Sequence, residues 1–133
     1  MTQAVLRTAP LVIMMGAIFF LSHQPGDLFA PIDFRWADKL AHLVVYALLC
    51  GALIYAFPDR WRRSAKGVVV TLSIIFCLLY GVSDEFHQSF IPGRFPSIAD
   101  IAADVIGASL ACMLWLLWDK TNHTGRARKR KVK

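Results

Sequence analysis

Four apolar stretches, each close to the length that a helix needs to cross a lipid bilayer, constrain this chain more than any other feature. Residues 9–22 read APLVIMMGAIFFLS and residues 40–57 read LAHLVVYALLCGALIYAF. Residues 67–83 read GVVVTLSIIFCLLYGVS and residues 98–118 read IADIAADVIGASLACMLWLLW. A crossing takes about 20 helical residues, with a tolerance of about 17–25. The second, third and fourth stretches reach that length with their flanking turns, and the first does if it begins near Ala4. The alternative, a soluble helical bundle, needs polar faces that these stretches lack. With 56% hydrophobic residues in a chain of 133, the expected fold class is an all-α membrane protein, a four-transmembrane-helix bundle. Its helices cover about 5–22, 38–57, 66–88 and 98–118. One membrane domain, 1–118, precedes a basic tail, 119–133, expected to be disordered. The first stretch also fits a secretory signal peptide, with Arg7 as its basic region, but LSHQPGD stands where a small-x-small cleavage site should sit.

Charge sets the expected orientation. The formal net charge is +6, and the stretch KTNHTGRARKRKVK from Lys120 to Lys133 holds seven basic and no acidic residues. Such a tail suits anionic lipid headgroups; no aromatic residue interleaves its cations, which excludes nucleic acid as the expected partner. The segment PDRWRRSAK between the second and third helices carries Arg60, Arg62, Arg63 and Lys66. The segment after the first helix, HQPGDLFAPIDFRWADK, has only Arg35 and Lys39 against three aspartates, and SFIPGRFP after the third has one arginine. Basic loops stay inside, so both termini are expected to be cytoplasmic. Trp61 and Trp118 then lie at the inner interface and Trp36 at the outer one, as an aromatic belt would have them.

That orientation gathers the intramembrane polar residues at the outer ends of the helices. Asp38, His42 and Tyr46 are spaced i, i+4, i+8 and share a face, with Lys39 on its flank. Tyr80, Asp84, His87 and Gln88 share the last turns of the third helix, while Glu85 points about 100° away from Asp84. The fourth helix opens with Asp100 and Asp104, followed by Gly107, Ala108 and Ala111, small residues that let another helix approach. The PGR turn between them is placed to swing Arg94 over the cluster. The cysteines, Cys50, Cys77 and Cys112, fall one per helix without metal or disulfide spacing and read as small packing residues.

Polar residues in membrane helices also serve as interhelical hydrogen-bonding glue. A central Asp or Arg costs about 2.5–3.5 kcal/mol on insertion scales, whereas an interhelical hydrogen bond returns about 0.6 on average. Collecting Asp84, Asp100 and Asp104 therefore gains a bundle no stability, and function is the default reading of the cluster.

DKLAHLVVYALLCG followed by YGVSDEFHQSFIPGRFPSIADIAADVIGA resembles the VanZ-like family. The family pattern is D-K-x-x-H-x-x-x-Y, then D-E-x-x-Q, a P-G-R turn and D-x-x-x-N-x-x-G. Asp38, Lys39, His42 and Tyr46 match the first part, and Asp84, Glu85, Gln88, Arg94, Asp100 and Gly107 match the rest. LSHQPG at residues 21–26 is similar to the exit of the family's first helix, and the resemblance covers roughly residues 10–115. Asp104 departs from it, standing where the family usually carries Asn; an Asp there must be protonated or pair with His42, Lys39 or Arg94. The resemblance implies a multi-pass protein of the bacterial inner (cytoplasmic) membrane, associated with low-level resistance to glycopeptide antibiotics, especially teicoplanin. It supplies no reaction.

Two functional classes compete. In the first the chain binds, or acts on, a lipid-linked phosphate or cell-envelope precursor at the outer leaflet. His42, Asp84, Glu85 and Asp100 are then the catalytic candidates: His42 as base or nucleophile, Asp84 orienting it, Glu85 or Asp100 as general acid. Asp38, Lys39, Tyr46, Gln88, Arg94 and Asp104 are the substrate-binding candidates, Lys39 and Arg94 holding the anion. No cofactor is expected, with a divalent cation on Asp84, Asp100 and Asp104 as a variant. In the second class the protein is not catalytic, and the cluster is a ligand-shielding pocket or glue, with a homodimer through the Gly107–Ala111 face as an extension. A transporter fits poorly, since four helices without repeats leave little room for alternating access.

Overall fold

Each apolar stretch forms a helix in the computed structural model, which describes residues 2–26 and 36–131. The order is α1 (Thr2–Ser22), α2 (Ala37–Ala56), a short α3 (Asp59–Ser64), α4 (Lys66–Gln88) and α5 (Ile98–Lys131). The described residues contain no strand. Four segments are long and apolar enough to cross a membrane: Gln3–Ser22, Ala37–Ala56, Lys66–Gln88 and Ile98–Thr121. The fold is thus the expected all-α membrane bundle. Two boundaries differ. The basic loop after α2 contains the extra helix α3, which Pro58 precedes at the cap position and Asp59 opens. The last helix passes Trp118, the expected end, and continues to Lys131, a stretch rich in the helix formers Lys and Arg. Asp27, Asp33 and Arg35, part of the charge count for the first loop, lie outside the described residues.

The packing inverts the arrangement of a soluble bundle. On α4 the buried stripe is Val69, Ser73, Cys77, Gly81, Asp84, Glu85 and Gln88, while Leu72, Ile75, Leu79 and Phe86 are exposed. Lipid tails are as apolar as leucine, so large apolar side chains gain nothing by turning inward. On α4, small residues that let backbones approach, and polar ones that find partners, make up most of the inner face instead. Helix α2 lies at the centre, packed against α5, α1 and α4. It approaches α5 closely at Gly107, where a Cβ would lie 2.1 Å from the Leu43 carbonyl oxygen. The face expected to support a homodimer is therefore internal at Gly107, because α2 of the same chain already occupies it. Deeper in the bundle Cys50 and Cys112 are buried free thiols with sulfurs 3.5 Å apart, consistent with packing.

The two ends of the bundle differ in chemistry. At one, Arg7 on α1 donates to Asp59 on α3 at 2.6 Å, Arg62 joins the same carboxylate, and Lys66 pairs with Asp119. Hydrogen bonding from Arg7 and Arg62 holds the Asp59 carboxyl below its usual range. At the other end lie the last turn of α1, the first turns of α2 and α5, and the last turns of α4.

Candidate functional site

Helix periodicity brings the polar residues of α2 and α5 into register, one pair per turn. Lys39 Nζ donates to Asp100 Oδ1 at 3.0 Å, and one turn deeper His42 Nδ1 lies 3.0 Å from Asp104 Oδ1. Both aspartates are buried, Asp104 completely. Asp104 also lies flat against α4, where a Cβ on Gly81 would stand 2.5 Å from its Oδ2. The departure from the family pattern is thus accommodated by His42, one of the three partners that the sequence offered.

The α4 residues divide. Asp84 Oδ2 accepts from Gln88 Nε2 at 3.1 Å, and Gln88 reaches Ser22 on α1 at 3.4 Å. Glu85, turned about 100° from Asp84, faces a neighbouring helix: it is buried against the start of α5. Its Oε2 accepts from the Ser97 backbone N–H at 2.7 Å, and its Oε1 stands 3.9 Å from His42 Nε2, too far for a hydrogen bond. Two expectations are corrected. Asp104 orients His42 where Asp84 was expected to, because α5 packs closer to that side of α2. His87 leaves the cluster: it faces α1, with Nε2 3.2 Å from Nδ1 of His23 and its ring against Phe19. His23 is accordingly paired as well as exposed, while the side chain of His123 lies outside the described set.

Arg94 does swing back over the cluster. It donates to the carbonyls of Leu21 and Gln24, both at 3.3 Å, and stands 3.8 Å from Asp38. Beneath it a cavity of about 240 Å³ opens between α1, α2 and α4. Ile18, Leu21 and Val45 form an apolar wall, and His42, Asp84 and Gln88 a polar one. Tyr46 lines the cavity too, while Tyr80 instead donates to the Met15 carbonyl of α1 at 2.8 Å. Ser22 and the Ser97 N–H are participants that sequence reasoning missed; a lone serine and a backbone group carry no pattern.

The buried oxygens Tyr46 Oη, Glu85 Oε1 and Asp104 Oδ2 have no hydrogen-bond partner. Buried polar atoms are ordinarily satisfied, and exceptions call for a reason. Two groups of side chains offer one ligand atom each within 4.8 Å of one another, His42–Asp84–Glu85 and Asp38–His42–Asp100. The three aspartates expected to hold a cation together form no such group among the described residues.

The VanZ/LLP1 family model matches residues 8–119, a span that contains every one of these positions. The chain belongs to the VanZ/LLP1 family. An uncharacterised protein of the fission yeast Schizosaccharomyces pombe is 34% identical over 113 residues, 84% of this chain and 64% of that protein. The chain thus spans less than two thirds of that relative's length. A fungal relative also means that VanZ/LLP1 membership does not by itself specify a bacterial membrane. No solved structure matches the chain.

Proposed function

We propose that this VanZ/LLP1 protein binds the polar end of a lipid-linked phosphate, such as a cell-envelope precursor, in the cavity beneath Arg94. The observation that carries the reading is the two-sided lining: Ile18, Leu21 and Val45 against His42, Asp84 and Gln88. An amphipathic wall at the end of a membrane bundle suits a molecule that keeps its chain in lipid and its head in the protein. At about 240 Å³ the cavity lies just below the roughly 300–1,000 Å³ of small-molecule pockets, a size that suits a headgroup. Arg94 meets the anion, and His42 presents Nε2 to the cavity, because Asp104 holds Nδ1. The site end then faces the outer leaflet, as the basic residues of α3 and the tail argue, in a bacterial inner membrane. An effect on teicoplanin susceptibility would follow from occupying a precursor there.

A second reading is favoured by the pairs Lys39–Asp100 and His42–Asp104, both of which cross from α2 to α5. These are satisfied interhelical contacts and act as glue whatever binds beside them. Asp84, Gln88 and Arg94 are left as the residues that meet a ligand.

Mass spectrometry of lipids retained by the detergent-purified chain tests the proposal. A phosphate-bearing lipid is expected at near one per chain, reduced in Arg94→Gln and in Asp84→Asn. Retention of only the bulk lipid mixture, unchanged by either substitution, would sink it.

A further inference from the structure

Three neighbouring side chains each have one atom held by a partner and another left to point at the same place. Asp104 holds His42 Nδ1 at 3.0 Å, leaving Nε2. Ser97 N–H holds Glu85 Oε2 at 2.7 Å, leaving Oε1 buried without a partner. Gln88 holds Asp84 Oδ2 at 3.1 Å, leaving its other oxygen. We propose that His42 Nε2, Glu85 Oε1 and a carboxylate oxygen of Asp84 bind a divalent transition-metal ion of the zinc class.

Charge supports a cation here. Asp38, Asp84, Glu85, Asp100 and Asp104 converge on a region whose permanent cations are Lys39 and Arg94, and both of those already stand beside Asp100 and Asp38. A phosphate headgroup entering such a site needs a further positive charge. The geometry is close: His42, Asp84 and Glu85 each offer one ligand atom within 4.8 Å of the other two. Tetrahedral coordination with bonds of about 2.0–2.1 Å sets ligands roughly 3.3 Å apart. His42 Nε2 and Glu85 Oε1, at 3.9 Å, need only small side-chain rotations to reach that spacing. An imidazole that gives its other nitrogen to a carboxylate is the usual arrangement of a metal-bound histidine. One nitrogen with two carboxylate oxygens suits zinc better than magnesium or calcium, which take oxygen alone. The rival group, Asp38–His42–Asp100, already has Lys39 and Arg94 against its carboxylates. Three protein ligands leave a coordination position open, and His42 and Asp84 both line the cavity.

The inference rests on the reading of this cavity as the functional site, but uses nothing about which lipid enters it. The test uses the full chain, free of any affinity tag, stripped with EDTA in detergent and titrated with Zn²⁺ alone, the bound metal being counted after desalting. One ion per chain is expected. Glu85→Gln and Asp84→Asn should each weaken binding by more than about 100-fold, the upper end of what losing even an outer-shell partner does. Asp100→Asn, outside the ligand set, should keep affinity within a few-fold. Cobalt(II) in the unmodified chain should give the intense visible bands of four- or five-coordination, a readout that does not depend on any variant folding. Negligible uptake by the unmodified chain, undiminished binding in Glu85→Gln, or loss of binding only in His87→Gln, which would put the ion on the His23–His87 pair, overturns the proposal. Lipid retained after stripping, with no zinc uptake, removes the metal and leaves the lipid reading; zinc bound with no lipid retained does the reverse.

Discussion

His42 and Asp104 meet across the α2–α5 interface, with Nδ1 3.0 Å from Oδ1 and the aspartate wholly buried. That contact decides which nitrogen of His42 faces the cavity. It also explains how an aspartate serves where the family pattern carries asparagine, since an asparagine Oδ1 could accept from the same Nδ1–H. Asp104→Asn should therefore leave thermal stability in detergent within about 1 kcal/mol of the parent, the worth of one hydrogen bond. Asp104→Ala should cost about 3 kcal/mol or more, as breaking a buried pair does. If Asn destabilises as much as Ala, the charge rather than the hydrogen bond holds the helices.

Two substitutions in the same cluster should diverge. Among the described residues Asp84 accepts from Gln88 on its own helix, and carboxylates kept for function commonly reduce stability. Asp84→Asn should melt at or above the parent. His42→Ala deprives the buried Asp104 of its partner and should melt several degrees lower. Equal losses in both would make the whole cluster structural.

Gly107 and Gly51 provide a paired test of helix approach. A Cβ at Gly107 meets the Leu43 carbonyl oxygen at 2.1 Å, whereas one at Gly51 meets nothing within 4 Å. Backbone cannot rotate aside as a side chain can, so Gly107→Ala should push α5 from α2 and cost about 2 kcal/mol or more. Gly51→Ala should be neutral or stabilise slightly, by removing unfolded-state freedom. Melting of the two variants in one detergent is the measurement, and equal effects would mean that α2 and α5 do not approach at Gly107.

Acid should loosen the opposite end of the bundle. Arg7 and Arg62 hold the Asp59 carboxyl below its ordinary value of 3.8. The native state therefore releases that proton more readily than the unfolded chain. Its contribution is complete above the ordinary value and disappears as pH falls through the lower, folded one. Lowering of the melting temperature between about pH 5 and pH 3 should be smaller in Asp59→Asn than in the parent, and smaller for the parent in high salt, because the pair is only half-buried. Identical pH profiles would remove the Arg7–Asp59 link from the account.

Orientation is open to labelling, since the native thiols at Cys50, Cys77 and Cys112 are buried. In intact bacterial cells a membrane-impermeant maleimide should modify Pro92→Cys, in the turn after α4, and spare Arg63→Cys on α3 until the cells are opened. The opposite pattern would place the cavity on the cytoplasmic side.

Four membrane-length helices and the concentration of polar residues at one end of the bundle were legible in the sequence, because length and hydropathy decide what can cross a bilayer; helix α3 and the continuation of α5 past Trp118 were not. So was the sharing of a face by Asp38, His42 and Tyr46, since 3.6-residue periodicity is a local property. Pairing was not legible. Asp84 and Asp104 are equally good partners for His42 on paper; the close approach of α2 to α5 at Gly107, and of α4 to Asp104 at Gly81, selects Asp104. Glu85 was a candidate although its helical angle turns it from Asp84, and His87 shared the face of Asp84 by its own angle; packing buries the first against the start of α5 and turns the second to α1. Local spacing fixes which side of its own helix a residue occupies. Which neighbour that side meets depends on how the helices rotate and pack, and that depends on small residues far away in the chain. The sequence by itself determined a polar end on a four-helix membrane bundle; only the tertiary structure decided that His42 keeps Nε2 free beside Glu85 and Asp84.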